Sequence, residues 1–250
     1  MQLSVITPTA DIINDLSQLD IIGQKDSQLI YGETFHVEKP HGAFVYGHSI
    51  IDGYKGYVER ARLASNIPTP THYVTNLASH LYPHASFKSR PLTPLSFMSR
   101  LNLTNKSDNG FVQTHDGLWI FENHLTPIKT ALPHKNLSEI AKLYLGTPYY
   151  FGGRASFGID CAGLVQQTMV AAGYDCPPRD SIDQQGAFGT KISRNEIAQN
   201  DIVFFKGHVG IMMDKENILN ATARHMTTLI EPLIDVEQAY AGGITHIARL

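Results

Sequence analysis

The sequence has only two cysteines and one tryptophan, and its lysines and arginines form no basic stripe. Two isolated cysteines, Cys161 and Cys176, give neither a disulfide framework nor the paired spacing of a zinc site. The 12 histidines are scattered without an H-E-x-x-H motif, so we expect no metal and no cofactor. The formal net charge of −3 gives no reason to expect a nucleic-acid partner.

Long apolar runs are also absent. Nothing approaches the ~20 apolar residues of a membrane span, so we expect no membrane partner. Residues 1–8 lack a basic region followed by an apolar core, which predicts a cytoplasmic protein, although a chain trimmed of its leader would look the same. The 250 residues suffice for two or three small domains, and we expect a monomer.

One cysteine stands in an informative context. Residues 158–164, Gly-Ile-Asp-Cys-Ala-Gly-Leu, predict a loop that enters a helix with Cys161 in its first turn and Asp160 as N-cap. Apolar residues then recur at helical spacing up to the stop at Gly173. A helix N-terminus and a nearby protonated histidine both lower a thiol pKa, which favours a reactive cysteine. The alternative is a buried structural cysteine.

A histidine follows in a matching context. Residues 207–211, Gly-His-Val-Gly-Ile, predict that His208 enters a buried strand. Thiol catalysis needs an imidazole close enough to take the proton of the sulfur. The two segments together favour a thiol hydrolase site over a structural cysteine.

Further motifs surround this pair. They are Gly-Thr-Pro-Tyr-Tyr-Phe-Gly-Gly at 146–153, Pro-Arg-Asp-Ser at 178–181, Asn-Asp-Ile-Val-Phe-Phe at 200–205 and Ile-Leu-Asn-Ala at 218–221. In this order, residues 134–250 resemble the NlpC family of papain-like bacterial cell-wall cysteine peptidases. The resemblance implies an α+β papain-like domain that needs no cofactor.

The resemblance also implies catalytic roles. Cys161 corresponds to the nucleophile and His208 to its base. Asn220 stands where the family most often has a second histidine, and its amide could orient the imidazole; His225 is the alternative. Tyr149 could donate to the oxyanion together with the Cys161 backbone N–H. The competing interpretations are an ordinary strand-end Asn220 and a simply packed Tyr149.

Some family members cut only peptides with a free N-terminal L-Ala. The resemblance then places Asp180 against that ammonium, because a buried ammonium needs a partner, and Ser181 and Asp160 beside the substrate. Asp180 also suits a helix N-cap, and both roles are compatible. Arg154 and Arg179 could meet carboxylates of the substrate, but for each the default expectation is a surface position.

The chain ahead of this domain is rich in predicted strands. Runs at 27–37, 43–46 and 56–58 alternate apolar and polar residues between Gly and Asp turns, which predicts a small barrel. Residues 1–66 resemble a bacterial SH3-like domain, and residues 71–127 a second, more diverged one. The predicted fold is therefore multidomain, with two small all-β SH3-like barrels followed by an α+β papain-like peptidase domain.

Two residues of the first barrel are candidate substrate contacts. Family members that recognise a free L-Ala end close the pocket with an SH3-like tyrosine and an acid, for which Tyr54 and Glu33 are the candidates here. The alternative for Tyr54 is a hairpin-loop aromatic.

The function that the resemblance implies is hydrolysis of murein stem peptides between γ-linked D-Glu and an L-diamino acid such as diaminopimelate. We expect a requirement for a free N-terminal L-Ala and a role in cell-wall recycling. The murein peptide is the only expected partner. Two alternatives stay open: a wall-remodelling endopeptidase or amidase with an open cleft, and a non-catalytic wall-binding adaptor.

Overall fold

The computed structural model describes residues 1–18, 25–128, 136–188 and 190–250. The chain divides into two compact units, Met1–Ala131 and Leu132–Leu250, with separate hydrophobic clusters in each. The start of the peptidase domain predicted at residue 134 lies outside the described residues. The division into three domains stays a prediction.

The described part of the first unit consists of strands and single turns of 3-10 helix. The strands are β1 (Gln2–Val5), β2 (Thr9–Ile12), β3 (Ser27–Ile30), β4 (Thr34–His41), β5 (Phe44–Ser49), β6 (Lys55–Glu59), β7 (Leu63–Ala64), β8 (His72–Val74), β9 (Ala78–Leu81), β10 (Thr93–Ser96), β11 (Arg100–Leu101), β12 (Leu103–Asp108), β13 (Phe111–Thr114), β14 (Trp119–Phe121) and β15 (Leu125–Pro127).

The first of these strands build an antiparallel sheet in the order β6-β5-β4-β1-β7, and β2 pairs with β3. Burial alternates along β5, as expected when one face of a strand covers a core. The run predicted at 27–37 is two strands instead of one, because the chain turns at Gly32 with φ +79°. A Cβ there would lie 2.0 Å from the Arg100 carbonyl oxygen, so only glycine fits this turn.

A second cluster collects Tyr31 and apolar residues between Val74 and Ile120. Its strands form the sheets β11-β8-β15 and β12-β13-β14 and the pair β10-β9. In the described residues these pairings, like those of the first sheet, are open and do not close into a barrel. The first unit is thus mostly β, and its SH3-like identity stays a prediction.

The second unit combines helices with one larger sheet. Its helices are α1 (Leu137–Ala141), α2 (Cys161–Ala171), α3 (Ser181–Ala187) and α4 (Leu233–Ala239). Its strands are β16 (Arg154–Ala155), β17 (Gly158–Ile159), β18 (Ile202–Phe205), β19 (His208–Met212), β20 (Asn217–Thr222), β21 (Thr227–Pro232) and β22 (Ile244–Ala248).

The larger sheet is antiparallel in the order β21-β20-β19-β18-β22, and α2 packs against β19 and β20. A two-residue turn joins β18 to β19, where Phe205 pairs with His208 and Gly207 adopts φ +74°. This hairpin places His208 at the first position of a fully buried strand, as predicted.

The helix that the sequence predicts after Asp160 forms as α2. The α1 helix begins after Asn136, whose side chain accepts a hydrogen bond from the Ser138 N–H, but it tightens into a 3-10 turn at Lys142–Tyr144. The α2 helix ends before Gly173, which has φ +91°. Among the described residues, no helix has the length and apolar character needed to cross a membrane.

Candidate active site

Cys161 is the first residue of α2, and the residue is only 8 % exposed. Asp160 caps the helix as predicted, because its Oδ1 accepts a hydrogen bond from the Gly163 N–H at 2.7 Å. The backbone N–H groups of Val209 and Ala162 act on the Cys161 thiol and lower its pKa, against the larger effect of burial. Since Val209 follows His208 directly, the structure brings the predicted nucleophile to the start of the strand that carries the predicted base.

Close packing fixes the loop in front of the nucleophile. A Cβ on Gly163 would lie 2.3 Å from the Gly153 carbonyl oxygen, so a glycine is required in the first turn of α2. The second Asp160 oxygen, Oδ2, accepts from the Gly152 N–H at 2.8 Å and from Arg179 Nη2 at 2.6 Å. One buried carboxylate therefore joins the loop, the helix end and a cation.

This ion pair corrects the expectation of surface arginines. Arg179 is 3 % exposed and Arg154 is 1 % exposed, so both are buried. The guanidinium of Arg179 is needed inside the fold because an ionised carboxylate at the position of Asp160 requires a partner. Three donors already hold Asp160, and its predicted contact with the substrate stays a prediction.

The imidazole ring of His208 has one polar contact at its edge and one aromatic contact on its face. Its Nε2 lies 2.8 Å from Asn220 Oδ1. Its ring stacks on that of Tyr240, with centroids 4.6 Å apart and planes 5° from parallel. These contacts leave little freedom for the ring to rotate.

Asn220 lies on β20 and is fully buried. Its Nδ2 donates to Glu231 Oε1 at 2.9 Å, and Glu231 Oε2 accepts from Arg224 Nη2 at 2.6 Å. The structure thus places Asn220 where an orienting residue must lie. His225, the alternative, is half exposed, with its Nε2 3.7 Å from Glu231 Oε2.

Burial sets the protonation of the resting site. Desolvation, with the Asp160 carboxylate second, raises the pKa of the Cys161 thiol to about 12. Desolvation also lowers the pKa of His208 to about 4, against a smaller raising effect of its hydrogen bond to Asn220. The prediction of a lowered thiol pKa is therefore wrong, because burial outweighs the N–H groups at the helix end. The resting pair is a neutral thiol and a neutral imidazole.

Tyr149 precedes this loop, and its backbone N–H donates to the Met226 carbonyl at 3.0 Å. Burial, followed by the nearby Cys161 and Asp160, raises the pKa of its phenol. The hydroxyl therefore keeps its proton and remains a donor at neutral pH. This position agrees with the predicted oxyanion role, which stays a prediction.

The short helix α3 begins at Ser181, and Asp180 stands at its N-cap position, as the sequence indicates, but the Asp180 side chain makes no cap hydrogen bond. Asp180 is exposed. Gln184 ties this helix to the nucleophile helix, because its Nε2 donates to the Ala162 carbonyl at 3.0 Å and to the Pro178 carbonyl at 2.9 Å. The predicted substrate-binding pair thus stands on an element anchored beside Cys161.

The two candidates of the first unit lie in turns. Tyr54 follows the β5–β6 turn, packs against the first core cluster and accepts from Asn14 Nδ2 at 3.1 Å. Glu33 is buried, and its Oε2 accepts from the Ile30 N–H at 3.0 Å. Both contacts are structural, and the substrate roles of the two residues stay predictions.

Three site residues escaped the sequence analysis: Arg224, Glu231 and Tyr240. The one local signal was Glu231, a glutamate on the partly buried strand β21, since a buried acid needs a specific partner. Tyr240 lies just after α4 and reaches His208 only through the tertiary fold.

Comparisons with known proteins agree with this geometry. The family model described as NlpC/P60 matches residues 146–240. A Bacillus subtilis protein named gamma-D-glutamyl-L-lysine dipeptidyl-peptidase is 26 % identical over 223 residues, covering 78 % of this chain and 71 % of its own length. The probable endopeptidase NlpC of Escherichia coli is 32 % identical over 113 residues, covering 40 % of this chain and 73 % of its own length.

The fold is shared as well. The crystal structure of an NlpC/P60 family protein from Bacillus cereus has a TM-score of 0.82 at 19 % identity, covering 100 % of this chain and 99 % of that one. The matched family segment contains every residue placed around Cys161 and His208, from Tyr149 to Tyr240. The chain therefore belongs to the NlpC/P60 family.

Proposed function

We propose that this protein is a cysteine peptidase that hydrolyses murein stem peptides at the bond between γ-D-Glu and an L-diamino acid. The observation that carries the proposal is the single buried arrangement of Cys161, His208 and Asn220. The backbone N–H of Val209, next to His208, acts on the Cys161 thiol, and His208 Nε2 lies 2.8 Å from Asn220 Oδ1. Nucleophile, base and orienting group are the three parts that thiol acyl transfer requires.

The chemistry starts from the neutral pair. As the sulfur of Cys161 attacks the γ-carbonyl carbon, its proton moves to His208, and the carbonyl oxygen becomes an oxyanion. His208 then gives that proton to the departing amine of the diamino acid, leaving a thioester. Water, deprotonated by His208, releases the acyl group and restores the thiol. Tyr149 would donate to the oxyanion, where loss of one donor typically costs on the order of 10²–10³ in rate.

The substrate class is supported by the relatives and by α3. The Bacillus subtilis relative carries gamma-D-glutamyl-L-lysine dipeptidyl-peptidase in its name. A dipeptidyl-peptidase must sense a free amine, and the exposed carboxylate of Asp180 at the start of α3 would pair with it. Ser181 would bind the peptide backbone, and Tyr54 and Glu33 stay predicted substrate contacts. A free-amine requirement suits recycling of short wall fragments.

The decisive experiment is a panel of four synthetic peptides followed by mass spectrometry. In these peptides L-Ala-γ-D-Glu is linked to L-Lys or to diaminopimelate, and the N-terminal amine of L-Ala is either free or acetylated. We expect cleavage only of the free-amine peptides, and the preferred diamino acid follows from their rates. Cys161→Ala should abolish turnover while circular dichroism stays unchanged, and retained turnover would refute the proposal.

The role of Asp180 has a matched control on the same helix. Asp180→Asn should raise KM for the free-amine peptide, whereas Asp183→Asn, which changes an exposed carboxylate of α3, should not. Equal cleavage of free and acetylated peptides would indicate an open-cleft endopeptidase. Cleavage of neither, together with no alkylation of Cys161, would indicate a wall-binding adaptor. The cytoplasmic location and the monomeric state remain predictions for fractionation and light scattering.

A further inference from the structure

A chain of polar groups extends behind His208. Asn220 stands between the imidazole, at 2.8 Å from its Oδ1, and Glu231, at 2.9 Å from its Nδ2. Glu231 continues the chain to Arg224 at 2.6 Å. Asn220 is fully buried and Glu231 is 8 % exposed, so this network is largely shielded from competing water.

The hydrogen-bonding capacity of each group gives this chain a direction. An ionised carboxylate accepts and never donates, so Glu231 must face the NH₂ side of the Asn220 amide. The amide carbonyl then faces His208, and because a carbonyl only accepts, Nε2 of the ring must carry the proton. In a neutral imidazole the other nitrogen, Nδ1, is then left with its lone pair.

We propose that Glu231 is a positioning residue that fixes the tautomer of His208 through Asn220. This inference rests on the proposed function, which needs one unprotonated ring nitrogen to take the proton of Cys161. Asn220 by itself does not select a tautomer, since its amide could rotate and donate to Nε2. His208 would then carry its proton on Nδ1 and would be unable to accept another there.

Arg224 makes the proposal testable with an isosteric change. In Glu231→Gln, Arg224 can only donate, so it selects the carbonyl of the new side chain and turns the NH₂ group toward Asn220. The Asn220 amide then rotates, and His208 changes to the Nδ1–H tautomer. In Arg224→Met/Glu231→Gln, the glutamine is free to turn its carbonyl toward Asn220 and restore the Nε2–H form.

The readout is the ¹⁵N NMR spectrum of histidine-labelled protein at pH 7, with His208 assigned by the signals lost in His208→Gln. We expect the Nε2–H form in the wild type, in Arg224→Met and in the double variant, and the Nδ1–H form in Glu231→Gln. Turnover should fall at least tenfold in Glu231→Gln relative to wild type and recover in the double variant to the level of Arg224→Met. Glu216→Gln, at an exposed glutamate of the same unit, is the matched control.

Two results would overturn the proposal. One is an unchanged Nε2–H tautomer in folded Glu231→Gln. The other is an Nδ1–H tautomer in the wild type, which decides the matter even where the variant fails to fold. Neither measurement uses a substrate, so failure of the wild type to cleave stem peptides would count against the proposed function alone.

Discussion

Replacing Arg179 by methionine tests what stabilises the loop that joins Gly152 to Asp160 in front of Cys161. The change removes the cation that lies 2.6 Å from Asp160 Oδ2, with both side chains at most 8 % exposed. Methionine keeps much of the volume of the arginine stem, so the main loss is the charge. The Asp160 carboxylate would then stay buried with only the N–H groups of Gly152 and Gly163.

The expected loss in the free energy of unfolding follows from the burial of the Arg179–Asp160 pair. Removing one partner of a buried ion pair costs ~3–5 kcal/mol, because the remaining charge is uncompensated. The loss falls on the cap of α2 and on the loop that joins Asp160 to Gly152. Since Arg179 also lowers the pKa of the Cys161 thiol, its removal should raise that pKa further.

The assay is urea unfolding followed by alkylation of Cys161, whose buried thiol becomes accessible as the second unit opens. Arg194→Met is the matched control, because Arg194 pairs with Glu237 at 3.3 Å and is 48 % exposed. Exposed pairs contribute ~0–1 kcal/mol to the free energy of unfolding. Asp160→Asn/Arg179→Met should recover part of the loss, because it removes both charges. Equal losses in Arg179→Met and Arg194→Met would refute the reasoning.

Two further predictions concern His208. Because its pKa is lowered to about 4, the ring stays neutral well below the ordinary value of 6.5, so kcat/KM should hold from pH 7 to pH 5 and fall as the pH drops through about 4. A fall centred near 6.5 in the pH–rate profile would contradict this. Tyr240→Leu should lower kcat by about 2- to 13-fold, corresponding to the ~0.5–1.5 kcal/mol of an aromatic pair, whereas Tyr240→Phe should retain most of it. Equal losses in the two variants, measured as initial rates, would assign the effect to the hydroxyl instead of the stack.

Local signals account for the parts of the site that the sequence predicted. Asp160 as N-cap, the apolar spacing of α2 and the stop at Gly173 all lie within residues 160–173, and local hydrogen bonding decides them. The glycine before His208 and the buried strand after it are equally local. The prediction failed at the run 27–37, because the turn at Gly32 depends on its approach to Arg100, which is far away in the chain.

The sequence by itself determined the candidate catalytic residues, since short motifs predict a thiol at a helix start and a histidine at a strand start. Only the tertiary structure decided the protonation states of Cys161 and His208 and which residues hold them in place. Burial of Cys161 and His208 depends on α2 packing against the sheet, and it reverses the thiol pKa expected from the helix end alone. Glu231 reaches the site because β21 pairs with β20, and Tyr240 reaches it from the end of α4. No local sequence pattern specifies either contact. Such contacts join residues distant in the chain, so they are fixed by packing and not by sequence spacing.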